Sequence, residues 1–121
     1  MARLPRLVVP GYPHHLTQRG VRSMDVFTSD NDRISYLAFI AEECKRHGVE
    51  ILAWCLMTNH VHFIAVPHTE TSLARGFGDA HKRYTRMKNF LDNVRRISGT
   101  MFGDIYFRED LVPAYWMNVI C

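Results

Sequence analysis

Apolar and polar positions repeat with two different periods along this chain, and the places where the period changes mark out its elements. Val49 to Pro67 (VEILAWCLMTNHVHFIAVP) is dense in branched and aromatic residues. It has the length of two short strands joined by a tight turn at Met57-Thr58-Asn59. Side chains alternate across a strand, so His60 and His62 share one face while Val61 and Phe63 take the other. Upstream, His14-His15-Leu16-Thr17-Gln18-Arg19 reads as a first strand, opened by the turn residues Pro10-Gly11-Tyr12-Pro13 and closed by Gly20. Its polarity is unusual for a core strand.

Two segments carry helical spacing. In the first, Ser29 with Asp32 approximates a capping box in which Asp replaces the usual Glu or Gln. Ile34, Leu37, Ala38, Ala41 and Cys44 recur behind it as the expected apolar stripe. Lys45, Arg46 and His47 fill the last turn, and Gly48 stands where a C′ glycine belongs. The second helix runs from about Ser72 to Asn89, with Leu73, Phe77, Ala80, Tyr84 and Met87 as its stripe. Arg75, Lys82, Arg83 and Arg86 give it a moderate basic face, interrupted by Asp79. Ile105-Tyr106-Phe107 supplies a fourth strand, and Pro113 to Cys121 open a third helix. The order β-α-β-β-α-β predicts an α+β fold, a ferredoxin-like or RRM-like βαββαβ sandwich with helices on one face of an antiparallel sheet.

Length and composition narrow this picture. A chain of 121 residues, 47% hydrophobic, suffices for one compact domain over residues 1–121 and is too short for two. No stretch approaches the roughly 18 consecutive apolar residues of a membrane span, and no signal peptide is evident, so a cytoplasmic protein without a membrane partner is expected. Cys44, Cys55 and Cys121 form no C-x-x-C pair, and two fall in apolar surroundings, as buried reduced thiols would. The formal charge of +3 permits a nucleic-acid partner without demanding one.

His60 and His62 are the first candidates for chemistry. Two neutral imidazoles on one strand face can share a metal ion. The competing reading is two polar residues on the solvent face of a half-buried strand. His14 and His15 flank the predicted sheet centre, where one could support a metal ligand, although packed or solvent-exposed histidines are more common. His47, His68 and His81 read as capping, loop and helix-surface residues.

Three blocks then carry a resemblance: Pro10-Gly11-Tyr12-Pro13-His14-His15-Leu16-Thr17-Gln18-Arg19-Gly20; Ala53-Trp54-Cys55-Leu56-Met57-Thr58-Asn59-His60-Val61-His62, continuing to Val66-Pro67; and His81-Lys82-Arg83-Tyr84-Thr85-Arg86, followed by Asn89. In order and spacing the chain resembles the HUH single-tyrosine transposases, and within them the REP-associated tyrosine transposase-like group of bacteria. The second block is the most specific, because it embeds histidine-hydrophobe-histidine in a long matched context.

The resemblance implies a particular chemistry. A tyrosine hydroxyl attacks a phosphodiester in single-stranded DNA, leaving a 5′-phosphotyrosine link and a free 3′-hydroxyl. A divalent metal, Mg²⁺ or Mn²⁺ in the family, is held by His60, His62 and a third ligand. Two imidazoles alone would favour a later transition metal. The implied partners are single-stranded DNA with a hairpin and a second copy of the chain in a homodimer; the implied place is the bacterial cytoplasm, nucleoid-associated. Gln18, Arg19, Lys82, Arg83 and Arg86 are the residues placed on DNA, the cations at phosphates and Gln18 at base edges.

The chain departs from the family at the nucleophile. The family tyrosine lies on a helix after the fourth-strand region, followed shortly by Asn-Pro, and would fall just past Cys121; no Asn-Pro occurs in the sequence. Either the chain is C-terminally truncated with its catalytic helix incomplete, or Tyr115 serves, with Asn118 one turn away. Tyr84 reads as core with its hydroxyl at the rim, and Tyr106 as packed. Two functions follow: a single-strand DNA endonuclease and strand transferase, or a catalytically inactive truncated derivative that binds hairpins without cutting. A small zinc hydrolase on His60 and His62 ranks last.

Overall fold

In the computed structural model of the chain, residues 8–91 are described, together with the backbone of residues 106–108. The proposed third helix, with Tyr115 and Asn118, lies outside the described residues. The elements are β1 (His14–Arg19), a short 3-10 turn (Val21–Ser23), α1 (Asp30–His47), β2 (Val49–Leu56), β3 (His60–Pro67), α2 (Ser72–Leu91) and β4 (Tyr106–Arg108). The strands form one sheet in the order β2-β3-β1-β4, and every pairing is antiparallel. With both helices on one face, this is the α+β sandwich expected from the element order. β2 carries a register shift between Ile51 and Ala53, which adds one residue to an outer strand and bends it.

The ends of α1 follow its sequence signals. Ser29 Oγ accepts the Asp32 backbone N–H at 3.1 Å. The Asp32 carboxylate does not return to Ser29; it accepts the Thr28 backbone N–H and the Thr28 hydroxyl, both at 2.8 Å. Gly48 closes the helix with φ 75°, and its N–H meets the Cys44 carbonyl. That left-handed conformation suits a residue without a Cβ.

The inward face of α1 differs from the expected stripe. Ile34 is 66% exposed, and Ala38 and Ala41 also face solvent. Tyr36, Ile40 and Cys44 are buried instead, alongside Asp32 and Glu43. The true face recurs at spacings of three and four residues and includes two carboxylates, which an apolar count discards. Both have cationic partners on α2: Lys88 Nζ lies 3.0 Å from Asp32 Oδ2, and Arg83 Nη1 lies 3.3 Å from Glu43 Oε1. α2 itself buries Leu73, Phe77, Ala80 and Tyr84 as its stripe predicts.

The core lies between the helices and the covered face of the sheet, where Leu16, Val61, Phe63 and Ala65 meet Tyr36, Ile40, Phe77, Ala80 and Tyr84. Its aromatic rings pack edge to face, with Phe63 and Phe77 centroids 4.9 Å apart and those of Tyr36 and Tyr84 5.4 Å apart. The Tyr84 hydroxyl is buried here, not at the rim, and donates to the Val26 carbonyl. His81 is likewise buried rather than on the helix surface, 2.8 Å from the Tyr36 hydroxyl. Cys44 is a buried free thiol, pushed up to about 12 by burial and by the Glu43 carboxylate. Cys55 is buried as well, as its apolar surroundings suggest.

Candidate functional site

β1 and β3 lie side by side at the centre of the sheet, with Thr17 paired to His62 and Arg19 to His60. Alternation therefore places His15, Thr17 and Arg19 beside His60 and His62 on the face that the helices leave uncovered. The turn that delivers His60 is held from two directions. The Met57 N–H bonds the His60 carbonyl at 2.9 Å, and the Gly20 and Val26 N–H groups bond the Asn59 and Thr58 carbonyls, each at 2.8 Å. Gly20 must be glycine for this approach, since a Cβ there would sit 2.4 Å from the Met24 carbonyl oxygen.

Each imidazole of the pair has one nitrogen held by the protein. His60 Nδ1 lies 2.7 Å from Asn59 Oδ1; the amide oxygen only accepts, so Nδ1 carries the proton and Nε2 keeps a lone pair. His62 Nδ1 lies 3.1 Å from His15 Nε2 and 3.4 Å from the Thr17 hydroxyl. The His15 ring stacks on that of His62, with centroids 5.3 Å apart. When His62 Nδ1–H donates to His15, its Nε2 is the free lone pair. The two ring centroids of the pair are 5.0 Å apart.

The electrostatics keep both rings in the neutral form. Burial, with His15, His60 and Arg19 nearby, pushes His62 down to about 4. Burial and Arg19 lower His60 too. Both are therefore neutral at pH 7. An imidazole that ligates through one nitrogen while the other donates to a protein acceptor is the usual arrangement around a bound metal. Among the described residues no third His, Cys, Asp or Glu joins the pair. The group of three that does come together is Glu43, His47 and Asp79, in the helical layer.

The residues expected on DNA separate into distinct environments. Arg19 is exposed at the edge of the histidine pair. Gln18 is fully buried on the helix-covered face, opposite Val61, so its amide does not reach base edges; alternation on a strand sends neighbours to opposite sides. Lys82 and Arg86 are exposed on α2, across the sheet from His60 and His62. Arg83 is drawn into the helical layer, 2.6 Å from Glu42 and 4.5 Å from the Phe39 ring centroid.

Sequence reasoning did not assign Asn59 and Thr17 to the site. The signal available for Asn59 was its place just before the first histidine of the strand. His15 supports His62, whereas His14 is satisfied locally, donating from Nδ1 to the Tyr12 carbonyl at 2.7 Å and accepting the Val9 N–H at 3.1 Å.

Comparison with known proteins bears on fold and family. The model of a family described as "Transposase IS200 like" matches residues 9–111. Two solved structures are similar. One is a REP-associated tyrosine transposase bound to a REP hairpin, with TM-score 0.72 and 14% identity, covering 99% of this chain and 68% of that one. The other is a candidate transposase from Deinococcus radiodurans R1, with TM-score 0.68 and 15% identity, covering 98% of this chain and 92% of that one. At such identities the likeness speaks to the fold. No curated protein matches the chain.

Proposed function

Because this chain belongs to the IS200-like transposases, we propose that it cuts and rejoins single-stranded DNA beside a hairpin through a phosphotyrosine intermediate, with a divalent metal held by His60 and His62. The observation that carries this reading is the neutral imidazole pair. Each ring is fixed through Nδ1, by Asn59 or by His15, and offers Nε2 to the open face. A divalent ion bound there supplies Lewis-acid polarisation of a phosphate oxygen. The family uses Mg²⁺ or Mn²⁺, and the third ligand is outside the described residues or belongs to substrate and water.

The chain's own residues do the rest. Arg19, beside the pair, meets the phosphate at the cleavage position. Lys82 and Arg86, with Arg83 where DNA can displace Glu42, hold the sugar-phosphate backbone of the hairpin stem. Tyr115 is the nucleophile in this reading. Its phenol oxygen bonds to phosphorus, the bond from phosphorus to O3′ breaks, and the proton of the phenol ends on the leaving 3′-oxygen. The structure related in fold that holds a REP hairpin supports a hairpin as the target. Residues 1–121 act as one domain, and two copies associate, with the outer strands β2 and β4 as available edges.

Covalent capture tests the proposal. The protein is incubated with labelled single-stranded hairpin oligonucleotides from its flanking DNA and Mg²⁺ or Mn²⁺, beside a Tyr115→Phe control. A denaturation-resistant adduct that the control and His62→Ala both abolish is expected. Hairpin binding that weakens with salt but yields no adduct would make the chain an inactive hairpin-binding derivative. Neither binding nor adduct would remove both readings.

A further inference from the structure

We propose that Glu43, His47 and Asp79 form a second divalent-metal site, suited to Zn²⁺, that clamps α1 to α2 on the opposite side of the molecule from His60 and His62. Glu43 and His47 stand one turn apart near the end of α1, and Asp79 faces them from α2. One ligand atom from each lies within 4.8 Å of the others. His47 Nε2 is 2.9 Å from Asp79 Oδ2 and 3.7 Å from Glu43 Oε2. Tetrahedral zinc, with bonds of roughly 2.0–2.1 Å, sets its ligands about 3.3 Å apart. The two separations bracket that value, so small side-chain rotations suffice.

The second observation is the Glu43 carboxylate itself. Its side chain is 3% exposed, and its Oε1 takes Arg83 at 3.3 Å and Arg46 at 3.4 Å. Its Oε2 is buried with no hydrogen-bond partner among the described residues, although it is turned toward His47. A buried carboxylate oxygen left without a donor is costly. A cation in the triad satisfies it. The two guanidinium groups oppose a cation by charge, yet they act at Oε1 and orient Oε2 inward, and Arg83 is shared with Glu42.

The donor set selects the metal class. One imidazole and two carboxylates suit zinc better than Mg²⁺ or Ca²⁺, which prefer all-oxygen shells with more ligands. His47 is 20% exposed and Asp79 47%, which leaves a route for the ion and a place for water as fourth ligand.

Zinc titration by calorimetry separates this site from the first. The full chain carrying His60→Ala and His62→Ala is expected to bind one Zn²⁺ and to unfold at a higher temperature with zinc than without. Adding His47→Ala, or Asp79→Asn at the partly exposed carboxylate where folding is not at stake, should weaken binding at least tenfold and abolish the thermal shift. No zinc binding by the His60→Ala/His62→Ala protein would overturn the proposal. So would binding that neither further substitution weakens, leaving His47 as an ion-pair donor to Asp79.

Discussion

On the open face of the sheet, His60 and His62 each have one nitrogen held and one free; on the covered face, His81, Asp32 and Lys88 are enclosed. The His81 ring bonds the Tyr36 hydroxyl and is buried among aromatic side chains. Asp32 receives Thr28 and Lys88 together, and Lys88 also donates to Thr28 Oγ1 at 2.9 Å. The same residue types thus serve opposite ends. Where folding closes around a polar group, its partners stabilise the fold. Where folding holds only one side, the other side is available to a ligand.

The largest effect expected from this contrast concerns acid. Burial pushes His81 down to about 3. The unfolded chain takes up a proton near pH 6.5, whereas the folded chain resists until about pH 3. Stability is therefore fully present above pH 6.5 and falls as pH drops toward 3, by roughly 1.4 kcal/mol per pH unit for this group. Denaturant unfolding across that range should show the slope, and His81→Gln should flatten it. An unchanged slope in the variant would place the acid sensitivity elsewhere.

Next in size is the buried ion pair. Burial raises the Asp32 carboxyl pKa, but hydrogen bonds from Thr28 and Lys88 outweigh it and hold the group below the usual carboxylate range. Its contribution is present above about pH 4 and lost as pH falls through that lowered value. Lys88→Ala strands the carboxylate and should cost roughly 3–5 kcal/mol at pH 7, read from the denaturation midpoint. Asp32→Asn with Lys88→Met should cost clearly less. Equal losses would mean that packing, not charge, sets the value of the pair.

The open face gives a smaller effect, visible in affinity rather than stability. His15→Ala removes the partner of His62 Nδ1 and should weaken divalent-metal binding by about 10–100-fold, with little change in the unfolding midpoint. A variant that binds metal like the parent would show that His62 needs no such support. Smallest is a pair of glycines. Gly48→Ala places a Cβ at φ 75° and 3.2 Å from the His68 Cβ, and should destabilise by about 1–2 kcal/mol. Gly78→Ala, inside α2 with open space around it, should stabilise by roughly 0.5–1 kcal/mol.

The boundaries of the elements were legible because they depend on local chemistry. Ser29 and Gly48 bracket α1, Gly20 follows β1, and Met57-Thr58-Asn59 turns β2 into β3, all within a residue or so of expectation. The faces were legible only where apolar periodicity was unbroken. α2 buries its predicted stripe, while α1 turns Ile34 outward and draws Asp32 and Glu43 inward. Gln18 and His81 were misplaced for the same reason, since polarity alone assigned them to the surface.

By itself, then, the sequence determined the element order, the shared face of His60 and His62, and the family, since backbone preference, strand alternation and contiguous motifs act over a few residues. Only the tertiary structure decided which polar groups are enclosed and which stay open. That outcome depends on partners far away in the chain: Lys88 for Asp32, Arg83 for Glu43, His15 for His62 and Asp79 for His47. A polar side chain is buried when folding brings it a partner, and no local pattern records where that partner will come from.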